Sequence, residues 1–144
     1  MAQTVEGALR QAGFETDGVI YVMVRLTANG TTAAAGILAQ IGEPFASLVA
    51  DKHEVTLIIP QEVVEDFRPR FRDHQISETL YRLITLDVVL EPTLVGFMAR
   101  LSTALASAKI SILPYAAFSR DHLLVPADQF DLAMKTLRDL QSSL

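Results

Sequence analysis

Two polar turns hold the residues whose types and spacing suit ligand chemistry. Residues 91–97 (EPTLVGF) precede a stretch with helical periodicity, and residues 119–122 (SRDH) interrupt two short predicted strands. Backbone amides at the start of a helix lack partners, and the helix dipole favours an anion such as a carboxylate there. Gly96 has no side chain, so a ligand backbone can approach the first turn closely.

The second turn offers groups that complement those of the first. The carboxylate of Asp121 suits a ligand ammonium group, and the hydroxyl of Ser119 can donate a hydrogen bond. Together the two turns would recognise both ends of an α-amino acid. The predicted ligand-binding residues are Thr93, Leu94, Val95, Gly96, Phe97, Ser119, Asp121 and His122.

Purely structural roles account for the same residues. Gly96 can permit close packing of a helix on a sheet, and Thr93 can cap that helix. Asp121 can cap backbone groups in a polar β-turn, with His122 starting the strand that follows. The residues alone leave both interpretations open.

No catalytic or metal-binding group is predicted. Asp121 and His122 are adjacent in a strand, so their side chains point to opposite faces and do not converge on Ser119. The glycine pattern of a nucleophile elbow is missing around Ser119. A metal site would require His53 and Glu54 to meet Asp121 and His122, and their spacing is not typical of metal ligands. We therefore expect neither enzyme activity nor a cofactor.

Composition narrows the class of partner. The chain has 144 residues, a net charge of −5 and no cysteine, and half of its residues are hydrophobic. An acidic chain is poorly suited to a nucleic-acid backbone, and no apolar run is long enough to span a bilayer. The first residues do not read as a signal peptide, so a cytoplasmic location is expected. The one basic cluster, Arg68, Arg70 and Arg72, is diluted by acids and is predicted to be a solvated loop.

The stretch 81–126 positions both turns. Its pattern predicts a strand over 81–90, a helix over 94–108 capped by Thr93, and strands over 110–118 and 122–125. Asp128 is predicted to cap a last helix. Three aromatic residues are expected in the core: Phe97, Phe118 and Phe130.

The pattern of residues in the N-terminal half predicts a similar order of elements. A helix over 4–12 precedes a strand over 19–26, in which Tyr21 falls on the face opposite to the apolar even-numbered positions. A helix capped by Thr31 or Thr32, a strand pair over 45–50 and 54–59, and a short helix follow. Strand-end prolines repeat at an offset of 126 − 60 = 66, and apolar strand faces repeat at 84 − 20 = 64. These offsets indicate a duplicated unit.

These residues resemble a known family. The C-terminal half resembles the second unit of small bacterial tandem ACT-domain proteins, which are related to the ACT domains of cytosolic arginine sensors. The N-terminal half resembles the family over 18–22, 43–44 and 54–57, and the whole resemblance spans about 17–140. The segments that carry it in the C-terminal half are Arg82-Leu-Ile-Thr-Leu86, Val95-Gly96, Ala108-Lys-Ile-Ser111 and Ser119-Arg-Asp-His-Leu-Leu-Val-Pro126.

The resemblance implies an α+β fold of two ferredoxin-like (βαββαβ) ACT units in tandem, with an antiparallel sheet and helices on one face. The expected organisation is an N-terminal helix over 1–16, a first unit over 17–72, a linker over 73–80 and a second unit over 81–144.

The resemblance also implies a function. ACT modules are typically regulatory and bind a small effector, often an amino acid. The expected function is therefore that of a non-catalytic sensor that acts through an unidentified protein partner and is assembled as a homodimer. The alternative is a protein-interaction module without a small ligand.

Overall fold

The computed structural model describes residues 2–144, which fold into two compact units. One unit combines the chain up to Gly18 with Arg82–Leu144 and is called the terminal unit here. The other consists of Val19–Tyr81 and is called the central unit. The terminal unit is therefore discontinuous in sequence, because it includes both ends of the chain.

Helices and antiparallel strands alternate along the chain. The helices are α1 Val5–Gln11, α2 Thr31–Ile41, α3 Val64–Phe67, α4 Phe97–Ser107 and α5 Phe130–Ser142. The strands are β1 Gly13–Glu15, β2 Ile20–Thr27, β3 Ser47–Ala50, β4 Glu54–Pro60, β5 Gln75–Ile76, β6 Tyr81–Asp87, β7 Leu113–Ala116 and β8 Asp121–Pro126. The predicted α+β class with an antiparallel sheet is confirmed.

The terminal unit has the strand order β1-β6-β8-β7. Strand β1 lies antiparallel to β6, with Gly13 opposite Asp87 and Glu15 opposite Thr85. Helix α1 leads into β1, and it begins where the Thr4 hydroxyl accepts a hydrogen bond from the amide of Gly7 at 3.0 Å. Residues far from the C-terminal half in sequence thus complete its sheet.

All the long helices of the terminal unit bury one face in a single core. Apolar residues at alternate positions lie in this core because strand side chains alternate between faces, and they are Ile84 and Leu86 of β6 and Val88 just beyond it. The helices contribute residues at spacings of three and four. They are Ala8 and Leu9 of α1, Phe97, Leu101 and Leu105 of α4, and Phe130, Ala133, Met134 and Leu137 of α5.

The central unit has the strand order β5-β2-β4-β3. Its core contains Val22, Val24 and Leu26 of β2, which pack with Ala34 and Ile37 of α2. Strand β5 pairs with β2 through Val24 opposite Ile76. This short strand falls within the stretch that the sequence predicts to be a linker, where its two residues are too few to produce a periodic pattern.

Helix α4 begins at Phe97 and not at residue 94, and this corrects the geometry of the first turn. Gly96 has φ of 100°, a left-handed conformation that separates the preceding loop from the helix. Thr93 lies in that loop and does not cap α4. The amide of Leu94 donates to the carbonyl of Glu91 at 2.9 Å, which closes a turn instead.

The other expected helix caps are also wrong. The N-cap positions of α2 and α5 are Gly30 and Gln129, and neither makes a side-chain capping bond. A 3₁₀ turn precedes each of these helices, so the chain is already helical before Thr31, and Asp128 lies inside such a turn. A hydroxyl or carboxylate caps a helix only from an extended conformation, which neither position adopts.

Two expectations, the end of β6 and the burial of Phe118, need correction. Strand β6 ends at Asp87 and not at residue 90; beyond it, the amide of Leu90 donates to Ser119 O at 2.9 Å. Phe118 is fully exposed because it lies in the turn beyond β7, where strand alternation no longer applies. Tyr21 is fully buried, with Phe45 packed edge-on against its ring at 6.0 Å. Phe97 and Phe130 lie in the core as predicted.

Within residues 2–144, no helix combines the length and the apolar character needed to cross a bilayer. The longest helix, α5, has 13 residues and carries charged side chains on one side.

Candidate functional site

A cavity of about 380 Å³ lies between the two polar turns of the terminal unit. The loop before α4 and the start of that helix form one side, and the turn between β7 and β8 forms the other. Its lining residues are Leu90, Glu91, Pro92, Leu94, Gly96, Phe97, Met98, Ala99, Ala116, Ala117, Phe118, Ser119, Arg120 and Asp121. A volume of this size lies at the lower end of the range for small-molecule pockets.

The structure brings together five of the eight predicted site residues. They are Leu94, Gly96, Phe97, Ser119 and Asp121, which all line the cavity. Thr93 and Val95 belong to the same loop but lie outside the lining, and Val95 is 86% exposed. His122 also lies outside it, because alternation along β8 directs it away from Asp121.

Backbone and side-chain hydrogen bonds hold the first loop in place. The amide of Leu90 donates to Ser119 O at 2.9 Å, which ties this loop to the second turn. Gln3 clamps the loop from the other side, since its Nε2 donates to Val89 O at 2.9 Å and its Oε1 accepts from the amide of Glu91 at 2.8 Å. The cavity wall is therefore held at both ends.

The N-terminus of α4 presents free backbone donors to this cavity. The first helical amide that donates back along the chain is that of Arg100, which donates to Gly96 O at 3.1 Å. The amides of Phe97, Met98 and Ala99 have no such acceptor, and no side chain within the described residues caps the helix. A carboxylate placed here would receive hydrogen bonds and a favourable helix dipole.

Asp121 supplies a partly buried carboxyl group on the opposite side of the cavity. Burial raises its pKa above the usual value, and the charge of His122 opposes this shift. No hydrogen bond from the described residues reaches this carboxylate. A cationic group beside it would therefore stabilise a charge that is poorly solvated.

Arg120 lines the cavity but its charge is engaged elsewhere. Its Nε donates to Asp87 Oδ1 at 2.8 Å. This hydrogen bond is the largest cause that holds the pKa of Asp87 below its usual value, and a hydrogen bond from Glu15 adds to it. The same contact with Asp87 raises the pKa of Glu15. The three side chains form one ion cluster that joins β1, β6 and the second turn.

His122 belongs to the sheet and not to the cavity. Its Nδ1 lies 2.9 Å from Oγ1 of Thr85 on β6. Burial lowers the pKa of His122, with Asp121 opposing this shift and Arg120 adding to it. The imidazole is thus favoured in its neutral form, hydrogen-bonded across the strands.

Sequence analysis missed the residues that reach the site from a distance. Gln3 lies 86 and 88 residues from Val89 and Glu91, and no local signal links these positions. The ion cluster of Glu15, Asp87 and Arg120 depends on the pairing of β1 with β6. Among residues 2–144, no group of three potential metal ligands meets at one point.

A second cavity of about 580 Å³ lies at the start of α2 in the central unit, lined in part by Arg70 and Arg72. The basic cluster was expected to be a solvated loop, and its members are indeed exposed. Arg68 pairs with Glu65 at 2.7 Å, while Arg70 lies 2.9 Å from the position that a Cβ on Gly36 would occupy. The lack of a side chain at Gly36 therefore allows Arg70 to lie on α2.

Comparison with known proteins points to one family. Residues 76–139 match the ACT domain. The ACT match includes both turns and every residue that lines the first cavity. A search among curated proteins finds no match.

Solved structures with the same fold include regulatory subunits of aspartate kinase. A protein of unknown function from Vibrio cholerae, described as a possible transport protein, has a TM-score of 0.71 and 23% identity, with 96% of each chain covered. A protein from Agrobacterium tumefaciens has a TM-score of 0.70 and 16% identity, covering 90% of this chain and 89% of its own. The regulatory subunit of aspartate kinase from Thermus thermophilus has a TM-score of 0.67 and 11% identity, covering 89% of this chain and 97% of its own.

The fold of this chain is therefore ACT-like, with antiparallel strands and covering helices. It is similar to the fold of the regulatory subunit of aspartate kinase. Proteins with the same fold can bind different ligands, so the ligand is inferred from the residues of the site itself.

Proposed function

We propose that this protein is a non-catalytic ACT-type sensor that binds an amino acid in the cavity of the terminal unit. The observation that carries the proposal is the position of the uncapped α4 N-terminus and of Asp121 on opposite sides of one cavity. The ACT match over 76–139 supports a regulatory role for the same residues.

In the proposed complex, the amides of Phe97, Met98 and Ala99 bind the ligand carboxylate. Asp121 accepts hydrogen bonds from the ligand ammonium group, and the Ser119 hydroxyl contributes another polar contact. Both charged ends of an α-amino acid then meet complementary groups, which is the requirement for recognising this class of ligand. Thr93, Val95 and His122, also predicted from the sequence, support the loop and the strand around this site.

The tandem arrangement is part of the proposal. Both units have a sheet in which the first strand lies between the third and the fourth, as in a βαββαβ unit. We assign the core of the first ACT unit to 17–72 and that of the second to 81–144, separated by 73–80. Strands outside these two ranges take the fourth position: β1 in the second unit, and β5, which lies within 73–80, in the first.

Assembly and location complete the proposal. Strand β7 pairs with β8 on one side, and its other side offers backbone groups to a second copy of the chain. We therefore propose a cytoplasmic homodimer that passes its signal to a separate protein partner. Sedimentation at micromolar concentration tests the dimer, and a monomer would remove this part of the proposal.

Thermal unfolding in the presence of individual amino acids tests the ligand. A ligand at 100 times its dissociation constant should add about 2.7 kcal/mol to the free energy of unfolding. Asp121→Asn should abolish this gain, because the amide no longer offsets the ligand ammonium charge. Asp128→Asn is the matched control, since Asp128 is exposed outside the cavity. The proposal would be refuted if none of the protein amino acids, at millimolar concentration, stabilised the wild-type protein against thermal unfolding.

Exposed apolar residues near the cavity favour a second candidate function, that of a protein-interaction module. Phe118 is 100% exposed, Val95 is 86% exposed and Val89 is 57% exposed. Contiguous exposed apolar surface marks protein–protein docking sites, and these three residues lie on or beside the two turns. A partner that binds the wild type and Asp121→Asn equally, but not Phe118→Ser, would support this function in place of effector binding.

A further inference from the structure

We infer that the effector is an amino acid with an uncharged, apolar side chain of about the size of leucine or methionine. This inference rests on the proposed function and names the ligand class of the same cavity. It follows from which lining groups remain for the ligand side chain once its charged ends are bound.

The charged groups of the lining leave no strong partner for a charged ligand side chain. Nε of Arg120 already donates to Asp87 Oδ1 at 2.8 Å, so the charge of Asp87 offsets that of Arg120 and weakens its attraction for an acidic ligand side chain. Asp121 is needed for the ligand ammonium group. Glu91 is exposed and accepts the amide of Gln3 at 3.2 Å, so a basic side chain would gain only a solvent-screened contact there.

Apart from the Ser119 hydroxyl, the uncharged side chains that line the cavity are apolar. Leu90, Leu94 and Met98 contribute aliphatic and thioether groups from one side, while Ala116, Ala117 and Phe118 contribute from the other. A polar ligand side chain placed among these six would find no side-chain donor or acceptor to replace its water contacts. Moving an apolar side chain from water onto these apolar groups would instead be favourable.

Phe118 makes this preference specific. Its side chain is fully exposed and yet borders the cavity, so its ring has no packing partner among the described residues that would bury it. A ligand side chain that packs on the ring removes apolar surface of both partners from water. Each methylene that fills an apolar pocket typically changes affinity by about 10-fold or more.

The cavity volume suits a small ligand such as a single amino acid. About 380 Å³ is close to the lower bound for small-molecule sites. An amino acid bound at both charged ends places its side chain between α4 and the second turn. This is the region that the apolar residues line.

Calorimetric titration of the full chain with matched amino-acid pairs tests the inference. The pairs are leucine with asparagine, valine with threonine, methionine with glutamine, and norleucine with lysine, which are similar in shape and differ in polarity. We expect the apolar member to bind at least about 10-fold more tightly in each pair. Equal or tighter binding of the polar or charged members would overturn the inference and leave the proposed function standing. Binding of no amino acid would overturn both.

Two variants separate side-chain recognition from recognition of the charged ends. Phe118→Ala should weaken leucine binding by about 10-fold and leave glycine binding unchanged, because glycine has no side chain to pack on the ring. Asp121→Asn should weaken both ligands. Val95→Ala is the control, since Val95 is exposed on the same loop but does not line the cavity. An unchanged preference for leucine over asparagine in Phe118→Ala would contradict the role of this ring.

Discussion

At the scale of single residues, Gly96 decides where the first loop ends and α4 begins. Its φ of 100° lies in a region that residues with a Cβ rarely adopt. The nearest side-chain atom to a Cβ built at this position is Val5 Cγ2, at 3.8 Å, so the space itself would accept a methyl group. The glycine is therefore required for backbone conformation and not for close packing.

Gly96→Ala should lower the free energy of unfolding by about 1–2 kcal/mol, because alanine is strained at this φ. Urea unfolding measures the change. Gly96→Asn should cost less, since asparagine tolerates left-handed conformations better than alanine does. An alanine variant as stable as the wild type would show that the loop can adopt another conformation without loss.

His122 should make stability depend on pH. Burial keeps its pKa below the usual value, despite the opposing charge of Asp121, and Arg120 acts in the same direction as burial. The unfolded chain therefore binds a proton more readily than the folded protein. Stability should be complete above the unfolded pKa of about 6.5 and should decrease as the pH falls below it.

The comparison of urea midpoints at about pH 7.5 and about pH 5.5 measures this effect, on either side of the unfolded pKa. His122→Gln should reduce the pH dependence, since the amide cannot take up a proton and can still face Thr85. His53→Gln is the control, because His53 is exposed and should leave the pH dependence unchanged. Equal pH dependence in all three proteins would contradict the assignment to His122.

At the scale of elements, Gln141 holds the end of α1 against α5. Its Nε2 donates to Leu9 O and to Ala12 O, both at 2.8 Å. These carbonyls lie at the C-terminus of α1, where the helix itself supplies no donor. The bonds span about 130 residues of sequence and fix the point at which β1 leaves the helix.

Gln141→Ala should destabilise the protein by about 1–3 kcal/mol, because it leaves two carbonyl acceptors without this donor. Thermal or urea unfolding checks the loss. Gln11→Ala is the matched control, since Gln11 is an exposed residue of α1 and should change stability by less than about 0.5 kcal/mol. Equal effects of the two substitutions would indicate that water replaces the Gln141 bonds at no net cost.

At the scale of the whole molecule, the terminal unit depends on residues from both ends of the chain. Leu9 is 1% exposed and belongs to the same core as Leu101, Leu123 and Leu137. Strand β1 completes the sheet beside β6. The N-terminal residues are therefore part of this fold and not an appendage to it.

Leu9→Ala should destabilise the protein by about 2–5 kcal/mol, the usual cost of a cavity in a packed core. Urea unfolding measures the loss, and hydrogen exchange should show faster exchange in β8 of the same unit. Leu132→Ala is the control, because Leu132 is 47% exposed on α5 and its loss should cost little. A Leu9 variant as stable as this control would show that the N-terminal helix contributes little to the core.

The periodicity of apolar residues in the sequence was sufficient to predict the long strands and helices. Val22, Val24 and Leu26 alternate along β2, and Leu101 and Leu105 recur along α4, as their burial requires. The same pattern placed one polar turn before the helix of the second predicted unit and the other between its last two strands. The structure brings residues of both turns to one cavity, with Gly96 and Asp121 among its lining.

Tertiary structure alone decided the features that depend on distant partners. Strand β1 has three residues, too few for a periodic signal, and only its pairing with β6 defines it. Gln3 and Gln141 act on residues far away in sequence, and Phe118 is exposed because β7 ends at Ala116. Local sequence determines which face of an element is apolar. Which distant group covers that face, or leaves it open to solvent, depends on long-range packing that no local pattern contains.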